Sequence, residues 1–302
     1  MLPDGFIFIQ RDWLSSNSLL LINDESAVLI DTGYATHADM TLSVLDRYLQ
    51  EQDLDAIFNT HLHSDHCGGN AKLQHRFPNA VTHIPASQLQ TVLDWDVTNL
   101  SYEMTGQHCP PFRADVGIQS GSELRLINLD WQVLESPGHD NDSLIFFQPD
   151  HRILVSADAL WENGVSVSFP EFEEGNGFER AAETFDLIEQ LNPSLVIPGH
   201  GSMFTDVNKA LTLSRHKLNL FKSDPSFHAL YSAKVLLKFK LMELKQVQQT
   251  DFEQWCLKST LLIKIHECFF KRENINSWIK SLLDDFHRKN SIRLKDDWII
   301  NL

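Results

Sequence analysis

The tightest constraint in this sequence is six residues long. His61-Leu62-His63-Ser64-Asp65-His66 packs three imidazoles and a carboxylate into one stretch, with Cys67, Gly68 and Gly69 directly behind it. These groups are ligands for first-row divalent metals, and few other chemistries need so many of them so close together. The flanks locate the stretch. Ala56-Ile57-Phe58 is a short apolar run of strand type, and residues 70–77 carry a helical pattern, so the histidines fall on a strand-to-helix connection. If His61 and His63 turn to one side while Asp65 and His66 turn to the other, one loop serves two adjacent ions. Gly68 and Gly69 then let the backbone turn away into the next helix.

The remaining donors stand at the ends of other strand-type runs. His139 closes Ser136-Pro137-Gly138-His139 after the run at 131–134, Asp158 follows 153–155, and His200 follows 195–197 within Pro198-Gly199-His200-Gly201. All three therefore occupy the same topological place. A carboxylate such as Asp158 can bridge two ions, leaving His139 to complete one set and His200 the other. Two divalent ions about 3.5–4 Å apart hold a shared hydroxide and clamp attacking and leaving oxygens. An isolated strand-end histidine is normally an ordinary core or surface residue; company with the loop is what makes these two ligands. Cys67 reads as a small buried hydrophobe, since the ligand set is already filled. The other nine of the fourteen histidines, among them His37, His75, His108 and His228, lack ligand spacing. Tyr34 and His37 are placed to line a cleft, and Trp161 is either a core aromatic or a pocket wall.

Around these residues the chain alternates. Phe6–Ile9, Leu19–Ile22 and Ala27–Ile30, separated by turn formers, form an antiparallel meander. Leu42, Leu45 and Leu49 give residues 38–50 a helical period. A strand is expected near 80–84, a partly helical insertion over 86–120, and a second meander from Leu124 to Val155. Phe178–Leu191 is helical and Leu195–Ile197 is a strand. Beyond about residue 205 no strong strand pattern remains until the last ten residues. Asp224 before Pro225 has the form of an N-cap followed by the first helical residue, Thr250-x-x-Glu253 the form of a capping box, and Leu230, Ala233, Leu237, Leu241 and Leu244 make an apolar stripe. The expected domains are a catalytic unit over 1–205 and a helical extension over 206–302.

The pattern His61-x-His63-x-Asp65-His66, followed by His139, Asp158 and His200, resembles the metallo-β-lactamase superfamily, and within it the glyoxalase II-like binuclear hydrolases. The resemblance covers about residues 5–205. It implies an α+β fold, a four-layer αββα sandwich with metals at one edge of the two sheets, followed here by a mostly helical C-terminal unit. It further implies His61, His63 and His139 on a first metal, Asp65, His66 and His200 on a second, and Asp158 between them. Asp31, ending Leu29-Ile30-Asp31, matches the family's first motif, a partner of a ligand with no direct part in bond breaking. Two departures stand out. Asp140-Asn141-Asp142-Ser143 replaces a Thr-x-Gly-Ser type of turn after His139, which bears on substrate selection, and Ala157 replaces a glycine before Asp158. No basic cluster suited to a glutathione carboxylate is evident.

Charge narrows the function classes. Residues 1–200 hold eight Lys and Arg against thirty Asp and Glu, a net −22, whereas residues 201–302 hold seventeen against eleven, or +6. An acidic body repels a polyanion, so nucleic acid is not its expected partner. Four cysteines without C-x-x-C spacing point to a reducing cytoplasm. The amino-terminal segment carries no basic run ahead of an apolar one, and no apolar stretch approaches the roughly 18 residues of a membrane span. The expected activity is hydrolysis of an ester, thioester or lactone of a small molecule by a hydroxide bridging two metal ions, with Asp65 orienting the nucleophile. Zinc suits the donor set, and iron and manganese accept the same atoms. Three readings compete: a nuclease or phosphodiesterase gripping RNA with its basic tail, a mononuclear persulfide dioxygenase, and a signalling or binding protein with residual hydrolase activity. Lys234, Lys238, Lys240 and Lys245 are expected on a solvated helix face, and the amphipathic tail suits a homodimer.

Overall fold

Short runs of apolar residues, buried on alternate sides, build two sheets that face one another. The computed structural model describes residues 2–173 and 175–302. Strands β1 (Phe6–Ile9), β2 (Ser18–Ile22) and β3 (Ala27–Ile30) form an antiparallel meander, and β4 (Ala56–Phe58), β5 (Val81–Pro85) and β6 (Val116–Ile118) continue the sheet in parallel, in the order β1-β2-β3-β4-β5-β6. Parallel neighbours need crossovers. Helix α1 (Ala38–Leu49) supplies one, α2 (Ser64–Cys67) and α3 (Asn70–Arg76) the next, and α4 (Leu89–Leu93) with α5 (Tyr102–Thr105) lie in the third. The second sheet runs β11-β10-β9-β8-β7. Its strands β7 (Glu123–Leu126), β8 (Leu129–Glu135), β9 (Leu144–Gln148) and β10 (Ile153–Ala157) are antiparallel, and β11 (Leu195–Pro198) returns parallel to β10 after α6 (Pro170–Glu173) and α7 (Gly177–Leu191).

One set of alternating residues from both sheets makes the central core. Leu19, Leu21, Val28, Ile30 and Phe58 meet Trp131, Val133, Phe146, Val155 and Ile197 there. The opposite face of the first sheet, through Leu20, Leu29 and Ile57, packs on Leu45 and Leu49 of α1 and on Leu73 and Phe77. In α1 Thr41, Leu45 and Leu49 recur every fourth residue on the buried side, which is the helical period that holds it to the sheet. On the second sheet, Ile145, Leu154 and Val196 are as buried as the inward-facing residues. This is the αββα arrangement expected from the sequence, with strands and helices at nearly every anticipated place.

The chain divides into two compact units, residues 1–100 with 108–222, and residues 101–107 with 223–302. The first runs past residue 205 because α8 (Val207–Ser223) is held to it. Arg215 spans Asp186 and Glu189 of α7 at 2.7 and 2.8 Å, Ser214 donates to the Gly164 carbonyl, and Phe221 stacks on Phe178.

The second unit contains α9 (Pro225–Leu244), α10 (Gln249–Cys256), α11 (Thr260–Ile265) and α12 (Ile275–Arg288). Asp224 caps α9 by accepting from Ser226 N, with Pro225 following it as expected. Four expectations give way. Thr250 is not an N-cap: α10 already begins at Gln249, and Glu253 instead accepts from the Gln249 side chain. The buried side of α9 is wider than the predicted stripe, taking in His228, Ser232 and Phe239 while Leu244 is exposed, since neighbours cover it on more than one side. A small sheet in the order β12-β14-β13 joins β12 (Gln246–Gln248) to β13 (Ile292–Lys295) and β14 (Trp298–Asn301), and the polar β12 left no trace in the hydrophobic pattern. The lysines of α9 are also not a free solvated face. Lys234 pairs with Asp285 at 2.6 Å, Lys238 donates to the Ser291 carbonyl and Asn301, and Lys240 pairs with Glu243. Among the described residues no helix is long and apolar enough to cross a membrane.

Phe146 is wholly buried where the two sheets meet, edge-on to Phe58 at 6.2 Å. Phe146→Ala is expected to cost about 3–5 kcal/mol of stability, read as a lowered urea midpoint with far-UV circular dichroism unchanged in native buffer.

Candidate metal centre

Each strand end that the sequence singles out delivers its side chain to one edge of the sandwich. The loop after β4 carries His61 and His63 and runs into α2 with Asp65 and His66; His139 lies between β8 and β9, Asp158 follows β10, and His200 follows β11. Their ligand atoms converge. Those of His61, His63 and His139 lie within 4.8 Å of one another, as do those of Asp65, His66 and His200, and those of His61, His66 and Asp158. Asp158 sits between the sets: Oδ2 is 3.4 Å from His139 Nε2 and 3.8 Å from His200 Nε2, and Oδ1 is 3.4 Å from His66 Nε2. All seven predicted residues are thus brought together.

Hydrogen bonding fixes which ring nitrogens carry protons. The Val167 carbonyl can only accept, so His139 Nδ1–H donates to it at 2.6 Å and leaves Nε2 as a lone pair. Thr60 Oγ1 donates to Asp31 Oδ2 at 2.8 Å, so at His61 Nδ1, 3.1 Å away, it accepts, and His61 Nε2 is a second lone pair. His63 Nε2 faces Asp140 at 3.5 Å and its Nδ1 lies 3.1 Å from His61 Nε2 and 2.8 Å from His139 Nε2. A proton on His63 Nδ1 can be donated to only one of these two lone pairs at a time, whereas a cation at the point where the three nitrogens converge would accept all of them. On the other side His66 Nε2 faces Asp158 Oδ1 at 3.4 Å and His200 Nε2 faces Asp65 Oδ2 at 3.1 Å, so two imidazoles and two carboxylates meet there. The residues present fit two divalent cations, and outer partners hold His61, His66 and His139 with their other ring nitrogen toward the site.

Asp31 anchors this geometry. Its carboxylate accepts from Thr60 N at 2.9 Å, Thr60 Oγ1 at 2.8 Å and His66 Nδ1 at 2.8 Å. It occupies the left-handed region at φ 57°, where aspartate is among the better-tolerated side chains. Ala157 is also left-handed, at φ 46°, beside a register shift between β10 and β11. The alanine thus keeps the conformation that glycine would adopt freely, and Asp158 stays in place.

The glycines act differently from the sequence expectation. Gly68 and Gly69 both have right-handed helical backbone, so no unusual turn is needed. A Cβ on Gly68 would strike Ala35 N and one on Gly69 would lie 2.6 Å from Thr32 O. They are required for close approach. At Gly199 a Cβ would fall on Asp158 Oδ1 itself.

Electrostatics separates the two halves. Burial, then neighbouring imidazoles, holds His61 well below its ordinary pKa, and burial brings His63 and His139 down to about 4. These three are neutral, ligand-ready imidazoles at pH 7. His66 goes the other way: burial pulls it down, but Asp31 and Asp158 outweigh this and raise it well above the usual value. Burial pushes Asp158 and Asp65 up, yet the facing imidazoles, His200 and His66 foremost, bring both below the usual carboxylate range. Asp140 is pushed up to about 6 by burial and by Asp142.

Other readings sort themselves by geometry. Cys67 is fully buried, its thiol against the Leu62 and His63 carbonyls and 3.7 Å from Cys109 Sγ. Tyr34 does not line a cleft, because it is fully buried and its hydroxyl accepts from His108 N. His37 instead meets Ser15 Oγ at 2.9 Å. Trp161 is a wall of the site, donating from Nε1 to Asp158 Oδ1 at 3.2 Å. Sequence reasoning missed Asp140 as a partner of His63, Trp13 stacked on His200 at 5.3 Å, and Phe169 against His63 and His139 at 5.0 and 5.5 Å. Only Asp140, next to His139 in an unusual turn, carried a signal; Trp13 and Phe169 sit in loops without periodicity.

The description "Metallo-beta-lactamase superfamily" belongs to a family pattern that matches residues 11–200. The chain belongs to this superfamily. It is 29% identical over 198 residues to a hydroxyacylglutathione hydrolase of Xanthomonas axonopodis pv. citri (strain 306), covering 64% of this chain and 63% of that protein. The match therefore spans less than two thirds of that relative. A probable metallo-hydrolase of Bacillus subtilis (strain 168), YqgX, is 25% identical over 208 residues, covering 67% of this chain and 85% of its own. Among solved structures, a metallo-beta-lactamase family protein of Thermus thermophilus, TTHA1429, superposes with a TM-score of 0.59 over 100% of both chains at 16% identity, which speaks for the fold.

Two outcomes follow for the site. Gly199→Ala is expected to displace the Asp158 carboxylate and lower bound metal at least severalfold, measured by elemental analysis after dialysis, with the folded circular dichroism spectrum retained. Because His66 holds its proton above the usual pH, a cation taken up near pH 7 must displace that proton. Proton release is expected from calorimetric titrations in buffers of different ionisation enthalpy, with metal affinity rising as pH rises and levelling once His66 is neutral. Asp31→Asn should weaken this pH dependence.

Proposed function

We propose that the protein is a binuclear metallohydrolase that cleaves an ester, thioester or lactone of a small molecule. The observation that carries this reading is the convergence of seven donors in two sets that share Asp158. His61, His63 and His139 would hold one ion, Asp65, His66 and His200 the other, and Asp158 would lie between them. Zinc fits the nitrogen-rich donors, with iron or manganese as alternatives. When bound, such a pair supplies Lewis acidity and brings the pKa of a coordinated water toward about 7.

The chain's own residues do the rest. Asp65, held below the usual carboxylate range, is ionised at neutral pH and suits an acceptor that orients a water hydrogen better than a group that stores a proton. Asp31 and the Val167 carbonyl keep the imidazoles in their ligating tautomers. The site opens on the side of His63, Asp65 and His139, each 8–9% exposed, while His61 and His66 have no exposure at all. Substrate approaches from there.

The name of the Xanthomonas relative supports a thioester as the leading bond type. The glutathione portion finds no such support, since residues 1–200 are strongly acidic. The nuclease reading is weakened by the internal pairing of Lys234, Lys238 and Lys240. A cytoplasmic setting and a homodimer through the C-terminal helices belong to the same proposal. Metal analysis should find two ions per chain, and a panel of thioesters, lactones, aryl esters and bis(nitrophenyl) phosphate should show turnover among the carbonyl substrates. Asp158→Ala should lose metal and turnover together, by at least about a hundredfold in kcat/KM; a variant keeping two ions and full turnover would refute the assignment.

A further inference from the structure

Trp13 is 54% exposed, yet it is one of the better-fixed residues at the rim of the site. Its loop is tied down on both sides: Ser16 N donates to the Asp65 carbonyl at 2.9 Å, Asn17 N to the Gly199 carbonyl at 2.6 Å, and the Asn17 side chain to the Pro198 and Gly201 carbonyls, both at 2.9 Å. Asn17 Oδ1 accepts from Arg11 N and Asp12 accepts from Leu14 N, closing the turn around Trp13. The indole lies flat on His200, 5.3 Å between centroids and 8° between planes. Trp161 stands edge-on to both, 5.3 Å from Trp13 and 5.4 Å from His200, and its own N–H is engaged by Asp158.

Leaving half of a tryptophan in water forgoes much of the free energy that its burial would give. Holding it rigid there adds nothing to the core. A fixed, half-exposed aromatic ring beside reactive groups is the usual form of a recognition platform, because little conformational entropy is lost when a flat group settles on it. We propose that Trp13, buttressed by Trp161, is the specificity platform of this site, and that it selects substrates whose non-reacting portion is flat and apolar and not anionic. The inference rests on the hydrolase reading for its turnover arm only.

The neighbourhood disfavours an anionic tail. Asp12, next to Trp13, is exposed, Arg11 is turned to Thr41, and Asp31 and Asp140 lie against His66 and His63. An anionic tail entering a unit with net charge −22 over residues 1–200 would be repelled, whereas an aromatic or polyene-like tail would not. Trp161 is a positioning residue in this scheme. It supports the platform and, through its N–H, the orientation of the Asp158 carboxylate.

The experiment pairs turnover with binding. On metal-loaded protein, kcat/KM is measured for a thioester bearing a phenyl-terminated tail, one bearing a short alkyl tail, and one bearing a carboxylate tail, all of the same thiol. Wild type is expected to prefer the phenyl tail, and Trp13→Ala to lower the phenyl-to-alkyl ratio about tenfold, mostly through KM, with Trp13→Phe restoring most of it. In parallel, the non-hydrolysable thioether with the phenyl tail is titrated calorimetrically into metal-loaded wild type and Trp13→Ala; binding by wild type, weakened about tenfold in the variant, is the expected result. Equal losses for all three tails in Trp13→Ala, or thioether binding that is undetectable in wild type or the same in both proteins, would overturn the platform. If no carbonyl substrate is turned over at all while the thioether still binds through Trp13, the hydrolase reading fails and the platform stands.

Discussion

Five imidazoles and two carboxylates share one buried pocket, and their ligand atoms converge on two points more closely than protons shared pairwise require. His61 and His139 turn lone pairs toward a common point, because the Nδ1–H of each is committed to Thr60 Oγ1 and to the Val167 carbonyl, and His63 Nδ1 meets them there. One proton can serve only one of these pairs, whereas a positive ion between the groups would serve all three in a medium of low dielectric. The rest of the first compact unit can be understood as scaffolding for that requirement. The two sheets bring four chain segments to one edge, and Asp31 locks the loop from behind.

That scaffolding divides labour by distance from the reactive face. His61 and His66 are sealed away and take their orientation from Thr60 and Asp31. His63, Asp65 and His139 keep a little exposure and face incoming molecules. The opposite shifts of His66 and of the other loop histidines follow from the same burial, since only His66 has carboxylates on both ring nitrogens.

Much of this was legible in the sequence. The ligand loop and three strand-end donors name the site because metal coordination demands particular side chains at particular places, and strand ends on one sheet edge are brought together by topology alone. Strands such as Leu144–Gln148 and helices such as α1 announce themselves by periodic burial. What escaped was governed by contacts rather than by period. Strand β12 is polar and exists because β14 offers it hydrogen bonds. Gly68 and Gly69 look like turn glycines but are needed where Ala35 and Thr32 crowd the helix. The lysines of α9 look like a solvated face and are instead consumed by Asp285 and by carbonyls distant in sequence. Trp13 had no pattern at all, since a loop residue's partner is chosen by the fold around it.

The donors do not come from one layer. Four belong to the loop that leaves the first sheet, whereas His139, Asp158 and His200 leave the second. Any cation held by both sets is therefore a rivet between the two halves of the sandwich, fastened at the rim where layers would first splay apart. Since the dispersed ligands of an unfolded chain cannot reproduce that grip, occupancy favours the native state in proportion to the logarithm of metal concentration over its dissociation constant. Chelating such an ion would then reach beyond chemistry at the pocket and unfasten the seam between the two sheets.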